Sequence, residues 1–298
     1  VIYGRRLGDA EGAFTNAKRV FAIAPSDEEN REELRTLADM LQNFEALLEL
    51  YAEGYDDREP ELQKVLAWEI ASTYDGNLGN PAEARSWFQK VLDHEETHDG
   101  AFEALHRILQ DAGEWEDLRK LLNRRVELVD DADAKKALLF QVCSLNEDVL
   151  TDVEAAIVAY RQILDLEPGN EQAFGALERL YEVADQWADL EELLSQELGF
   201  TEDPTRIAEL QFRRGQLQAE KLDNADGAVD LFTEVLSQDE DHAGATAALE
   251  GLLENAELRQ RVAAILEPRY EARSDWQKLV GILEVQLEAA PDEHATVE

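Results

Sequence analysis

The sequence contains little cysteine, proline or glycine, and it has no long hydrophobic run. Its single cysteine, Cys143, excludes an internal disulfide and any metal site made of several cysteines, and it fits a reducing compartment. No run of about 18 apolar residues is present, so no membrane-spanning helix is predicted. The first residues show no signal-peptide pattern, but the chain begins at Val1 rather than at methionine, which leaves a removed leader open.

Basic residues are also scarce. The 298 residues include 28 Lys and Arg against 67 Asp and Glu, a formal charge of 28 − 67 = −39. A surface this acidic repels phosphate groups, so nucleic acids and anionic membranes are disfavoured as partners and basic proteins are favoured. Hydrophobic residues nevertheless make up 44% of the chain, too many for a disordered acidic tail. The composition therefore predicts a folded protein, and the abundance of Ala, Leu and Glu predicts an all-α one.

The chain is organised by a repeat of about 72 residues. Four segments align without gaps on Ala13, Ala84, Ala156 and Ala228, which are 71, 72 and 72 residues apart. The apolar positions that follow in these segments are Ala17 and Val20/Phe21, Phe88 and Val91/Leu92, Tyr160 and Ile163/Leu164, and Phe232 and Val235/Leu236. Because residues i, i+4, i+7 and i+8 share one side of a helix, the pattern predicts a buried helix face in each repeat.

Each repeat unit is predicted to contain four helices, arranged as two hairpins of about 36 residues. Trp115 and Trp187 begin corresponding helices of two units and are expected to pack in the core, whereas Arg259 interrupts the pattern in the last unit. Stacked helix hairpins form an α-solenoid, in which each hairpin packs on its neighbours. The predicted units of this single continuous solenoid are 1–78, 79–150, 151–222 and 223–298, and the last is expected to be irregular.

One hairpin carries a family resemblance. Tyr74, Gly79, Ala84, Phe88 and Val91 resemble the tetratricopeptide repeat (TPR) signature of an aromatic, a turn glycine, a small residue, an aromatic and an apolar residue. The segment 160–168 resembles the end of that motif, including its closing proline. The resemblance implies a right-handed α-α superhelix of about eight hairpins that acts as a protein–protein scaffold without chemistry of its own. The double-hairpin period and the acidity resemble the long acidic TPR arrays of some bacteria.

One segment matches a catalytic motif by its letters. His94-Glu95-Glu96-Thr97-His98 reads H-E-x-x-H, in which two histidines on one helix face hold zinc and the glutamate activates water. That chemistry needs an unbroken helix. The repeat aligns Glu96 with Pro168, in the turn between two helices, so a coincidental match is favoured over a zinc enzyme.

Other catalytic patterns are missing from the sequence. Its acidic groups lack the alternating ligands and central glycine of a calcium loop, and it has no phosphate-binding glycine loop or nucleophile elbow. Cys143 lies between apolar residues and is expected to be a buried structural thiol. We therefore predict a protein that is not an enzyme and that uses no cofactor and no metal.

The candidate partner groove is formed by the inner helices of the hairpins. Trp68, Phe140 and Phe212 recur once per unit, and they either pack in the core or serve as hydrophobic anchors in the groove. The remaining candidate groove residues are Glu69, Ser72, Glu103, Arg107, Gln141, Ser144, Arg179, Glu182, Arg213 and Gln216. The Lys and Asn set with which some TPR proteins clasp a C-terminal carboxylate is missing here.

Two functions stay open at this point. The first is a binding module that holds a basic or amphipathic peptide or protein along its concave face, where the negative potential speeds the encounter. The second is a structural component that stacks on its own kind, or within a larger assembly, through open solenoid ends. We expect a cytoplasmic protein, or a periplasmic or envelope-associated one if a leader was removed.

Overall fold

A computed structural model describes residues 9–288 of the chain, and this part is helical throughout, without a β-strand. Its sixteen α-helices confirm the predicted all-α class. The helices are α1 (Ala10–Ile23), α2 (Glu28–Leu41), α3 (Phe44–Ala52), α4 (Pro60–Gly76), α5 (Pro81–His94), α6 (Asp99–Ala112), α7 (Trp115–Leu128), α8 (Ala132–Ser144), α9 (Val153–Leu166), α10 (Glu171–Val183), α11 (Trp187–Glu197), α12 (Pro204–Glu220), α13 (Ala225–Gln238), α14 (Ala243–Leu252), α15 (Arg259–Ala272) and α16 (Trp276–Glu288).

The helices fall into two compact units, one up to Leu150 and one from Thr151 onward. The first contains α1 to α8, with a short 3-10 turn at Tyr55–Asp57 and a π-helical turn at Leu145–Leu150. The second contains α9 to α16. Within each unit successive helices pack side by side as hairpins. The finer division into four repeat units stays a prediction.

Periodic capping residues fix where one set of helices begins. Asp9, Asn80, Asp152 and Asn224 precede α1, α5, α9 and α13, and each side chain accepts a hydrogen bond from the backbone N–H three residues later. These bonds satisfy donors that a helix start otherwise leaves unpaired. Each cap lies four residues before a marker alanine, a regularity that the apolar pattern alone does not contain.

A second set of caps has the same period. Asp27, His98, Asn170 and His242 precede α2, α6, α10 and α14 and accept from the N–H three residues on. The two histidines do so through Nδ1, at 3.1 Å from Ala101 N and 3.0 Å from Ala245 N. The sequence thus repeats the chemistry of its helix starts as well as its core.

The predicted apolar stripes form the core except at Val20 and Leu164. Ala84, Ala156 and Ala228 have no exposed surface, which allows two helices to approach closely at each marker. Val20 is 42% exposed while its neighbour Phe21 is buried, and Leu164 is half-buried. In the equivalent pairs Val91/Leu92 and Val235/Leu236 both residues are buried, so it is the packing around each helix that decides whether the second residue of a pair is covered.

Candidate partner-binding surface

The residues of the H-E-x-x-H motif lie on both sides of a helix break. Helix α5 ends at His94 and α6 begins at Asp99, as the repeat register predicts. His94 Nε2 is 3.2 Å from the hydroxyl of Tyr55, whereas His98 caps α6. The two imidazoles therefore have different structural roles. The described residues contain no cluster of three metal-ligating side chains.

Cys143 is a buried thiol, as the sequence predicts. The side chain lies in α8 and has no exposed surface. Burial raises the pKa of the thiol to about 12, and the nearby carboxylate of Glu147 adds to the effect. Because the thiolate is the reactive form, this cysteine is a poor nucleophile at neutral pH.

Trp68, the first of the three aromatic residues that recur every 72 residues, is packed between two helices. The ring of Trp68 on α4 lies 5.6 Å from that of Phe88 and 4.7 Å from the imidazole of His98, measured between centroids. Gly100 makes the approach possible, since a Cβ added there would lie 2.8 Å from Trp68 Cη2. Part of the indole stays exposed. Its role as a partner anchor stays a prediction beside this packing role.

Phe212 of α12 repeats this arrangement 144 residues later. Its ring is 5.8 Å from Phe232 and 4.8 Å from the cap His242, and a Cβ on Gly244 would come within 2.8 Å of Phe212 Cζ. Phe140, the middle member on α8, is half-buried. Trp68 and Phe212 therefore each contact the first residues of the helix hairpin that follows them.

Two predicted groove residues of the second unit meet directly. The guanidinium of Arg213 on α12 forms ion pairs with Glu182 and Glu178, both on α10. Glu178 also accepts a hydrogen bond of 2.9 Å from Arg206. Sequence analysis missed Glu178 and Arg206, although together these four side chains link α10 to α12.

In the first unit, predicted residues pair with partners that were not foreseen. Arg107 of α6 is half-exposed and lies 2.5 Å from Asp75 of α4. Glu69 is 7% exposed, and its Oε1 is 3.4 Å from the Nε of the equally buried Arg31 on α2. These pairs lie 32 and 38 residues apart, about one hairpin length. Opposite charges at that spacing were the signal available in the sequence.

The other candidate residues differ in exposure. Ser72 and Gln216 are half-buried, while Glu103, Gln141 and Arg179 are exposed. The list is completed by Ser144, whose exposed hydroxyl donates a 2.8 Å hydrogen bond to Asp148. These side chains offer polar contacts and charge on the surface.

The class of the molecule follows from its helices, which pack one after another as hairpins on the repeated apolar stripe. It is an all-α protein of successive helix hairpins with a TPR-like repeat. None of the described helices is both long and apolar enough to cross a membrane. No protein-family model matches the chain, and no curated protein does.

Several solved structures are similar to this chain at low identity. YrrB, described as a TPR protein with an unusual peptide-binding site, is 11% identical over 67% of this chain and 97% of its own, with a TM-score of 0.31. A human IFIT1 dimer with PPP-AAAA is 15% identical over 95% of this chain and 69% of its own, with a TM-score of 0.37. MamA from Desulfovibrio magneticus RS-1 is 15% identical over 60% and 97%, with a TM-score of 0.30. Scores this low assign no function to any residue here.

Proposed function

We propose that the protein is a non-catalytic scaffold that binds a basic or amphipathic peptide or protein on the surface of its inner helices. The observation that carries this proposal is the excess of unpaired acid on a TPR-like frame. If every Lys and Arg neutralised one carboxylate, 67 − 28 = 39 carboxylates would still lack a cation. A surface of that sign attracts cationic partners and speeds their association.

The ion pairs between helices strengthen this argument. Arg31, Arg107 and Arg213 are held by carboxylates of the neighbouring helices α4 and α10, so these cations support the frame. In contrast, Glu103 is exposed on α6 and makes no hydrogen bond or ion pair among the described residues. Acidic side chains of this kind are available to a partner without breaking the fold.

A charge-reversal experiment tests the proposal. Glu103→Lys on α6 and Glu127→Lys on α7 make the same change of charge at two exposed, unpaired positions, one on an inner helix and one outside the candidate groove. Binding of a fluorescent basic amphipathic peptide is measured for both at low and high salt. We expect weaker binding from Glu103→Lys than from Glu127→Lys, with the difference shrinking as salt screens the charges. Equal effects of the two variants would contradict the proposed surface.

A second candidate function has its own supporting observation. Helix α16 exposes Trp276, Val280, Leu283 and Leu287, which share one helix face. Apolar faces of this kind mark interaction sites, so self-association or assembly through α16 is the alternative function. Light scattering over a concentration series tests it, with Val280→Lys as the variant. A mass that stays monomeric at every concentration counts against self-stacking.

A further inference from the structure

An open cavity of about 510 Å³ lies at the turns that flank hairpin α10–α11. Its walls come from residues 169–175, the end of α11 with the turn after it, and the start of α12; we call it the 169–206 cavity. Two phenylalanine rings in it lie 6.4 Å apart between centroids. Phe174 is buried, whereas 56% of Phe200 is exposed. The cavity therefore presents one accessible aromatic ring.

The charge of the cavity is negative. Its lining contains four carboxylates, those of Glu171, Glu197, Glu202 and Asp203, and one cation, Arg206, a net charge of −3. Arg206 is engaged by Glu197, at 2.9 Å, and by two further glutamates outside the cavity. Among the described residues nothing pairs with the carboxylate of Glu171, and Glu197 Oε2 is buried without a hydrogen-bond donor.

The hairpin α6–α7 shows what fills the same place 72 residues earlier. There the residues equivalent to Glu171 and Phe174 are Asp99 and Phe102, and the equivalent of Glu197 is Arg125. The guanidinium carbon of Arg125 lies 5.3 Å from the centroid of the Phe102 ring, and its Nη2 pairs with Asp99. The arginine side chain is only 15% exposed. This hairpin thus carries its own guanidinium between an aromatic ring and a carboxylate.

In hairpin α10–α11 the acid is present and the arginine is missing. Phe174, the equivalent of Phe102, is buried, and the accessible ring is that of Phe200, where the earlier hairpin has Leu128. Position 175 also differs, because Gly175 stands where the earlier hairpin has Glu103, and a Cβ added to it would meet nothing within 4 Å. Glycine inside a helix is destabilising relative to alanine, so the open space comes at a cost in stability. The space, the charge and the ring are those that a guanidinium needs.

We propose that the 169–206 cavity binds an arginine side chain of the partner, with its guanidinium against Phe200 and paired with Glu171. This inference rests on the proposed function and names the residue through which the basic partner is held. Arginine suits the cavity better than lysine, because its planar and weakly hydrated guanidinium stacks on aromatic faces and pairs with carboxylates through two N–H groups.

The direct test titrates the full chain with N-acetyl-arginine N-methylamide and follows the backbone amide signals of Gly169 and Gly175 by NMR. The lysine amide and the uncharged citrulline amide are the matched ligands. We expect saturable shifts of both glycines with arginine, binding about threefold or more weaker with lysine, and no shift with citrulline. Equal binding of all three amides would overturn the proposal.

Variants then place the ligand. Gly175→Phe fills the cavity without a change of charge and should abolish the Gly169 shift, while Gly251→Phe adds the same ring to α14, also in open space, and should leave it unchanged. Glu171→Gln should weaken binding about fivefold. If Gly175→Phe does not fold, Phe200→Ala, which alters an exposed ring, replaces it and should also weaken binding. Unchanged affinity in the folded variants would overturn the proposal.

Hairpin α6–α7 allows the opposite experiment, in which a new arginine site is created. Arg125→Ala removes the resident guanidinium, so added arginine amide should now shift Gly100 beside Asp99 as well. A basic peptide that binds the chain and loses affinity with Glu103→Lys, but not with Glu171→Gln or Gly175→Phe, leaves the scaffold function standing and rejects the arginine cavity. If no basic peptide shifts any amide of the chain, the scaffold function fails with it.

Discussion

Hairpins α6–α7 and α10–α11 begin alike but differ in the charge of one residue, which is Arg125 in the first and Glu197 in the second. Each starts at a capping side chain, His98 or Asn170, and each opens its second helix with a tryptophan. In the first, Arg125 covers an aromatic ring and neutralises a carboxylate of the same chain. In the second, Glu197 stands at that place and an acidic cavity is left open.

The comparison suggests a division of roles within a repeat: some positions maintain the fold, and others are available for recognition. The core leucines and caps keep the hairpin, so the residue at the joint is free to change from a cation to an anion. In our proposal, this single difference replaces an ion pair within the chain by a site that attracts a cation of the partner. The following tests alter the two hairpins in parallel, in order of decreasing expected effect.

The largest effect is expected in the shared core. Leu105→Ala and Leu177→Ala each remove a leucine with at most 2% exposure, so each should lower the free energy of unfolding by about 2–5 kcal/mol. Urea unfolding followed by circular dichroism measures both. A large cost in one hairpin and none in the other would contradict their common core.

A smaller effect of opposite sign in the two hairpins is expected from glycine. Gly100→Ala would force a Cβ to 2.8 Å from Trp68 and should cost about 1–3 kcal/mol. Gly175→Ala meets nothing and removes a helix-weakening glycine, so it should stabilise the chain by about 0.5–1 kcal/mol. Thermal unfolding of both variants checks the signs. The same sign for both would show that the space around the two glycines is not different.

The guanidinium of Arg125 should contribute less to the free energy of unfolding than the core leucines do. Arg125→Ala removes a charged hydrogen bond and a cation–π contact from a mostly buried side chain, at an expected cost of about 1–2 kcal/mol. Its neighbour Arg124 pairs with Glu96 while 38% exposed, so Arg124→Ala should cost below about 1 kcal/mol. If both substitutions cost the same, the contact over Phe102 has no special weight.

The smallest effect is a dependence on pH. Burial raises the pKa of the Glu197 carboxyl above its ordinary value, and the opposing attraction of Arg206 does not cancel the rise. The folded chain therefore takes up this proton at a higher pH than the unfolded chain does. Stability from this group is complete below the ordinary value of about 4.3 and is lost as pH rises through the folded value.

The measurement compares the wild-type chain with Glu197→Gln, which cannot titrate at this position. Unfolding free energies are determined from pH 7 downward to about 4.3. We expect the wild type to gain stability relative to the variant as the pH falls. A relative loss over this range would mean that the ion pair with Arg206 outweighs the effect of burial and holds the carboxylate in its charged form.

Most of the architecture was predictable from sequence because it follows from periodic apolar residues. The marker alanines and the break inside the H-E-x-x-H segment are confirmed. Trp115 and Trp187 do begin α7 and α11, but both side chains are only partly buried, so the expectation that they pack in the core is wrong. Val20 and Leu164 were assigned wrongly to the core, because the apolar pattern contains adjacent pairs and only packing decides whether both members are buried. The capping residues could have been found from their 72-residue spacing.

The sequence by itself determined the helical class, the 72-residue period and the acidic surface, since helix propensity, apolar spacing and charge are sums over residues that no distant contact alters. Only the tertiary structure decided which charges neutralise one another and which stay open. Arg213 reaches two glutamates one hairpin away, and Glu197 stands where Arg125 stands in the earlier hairpin. Such pairs depend on distances of a few ångströms across helices, because charge attraction in water weakens quickly with separation.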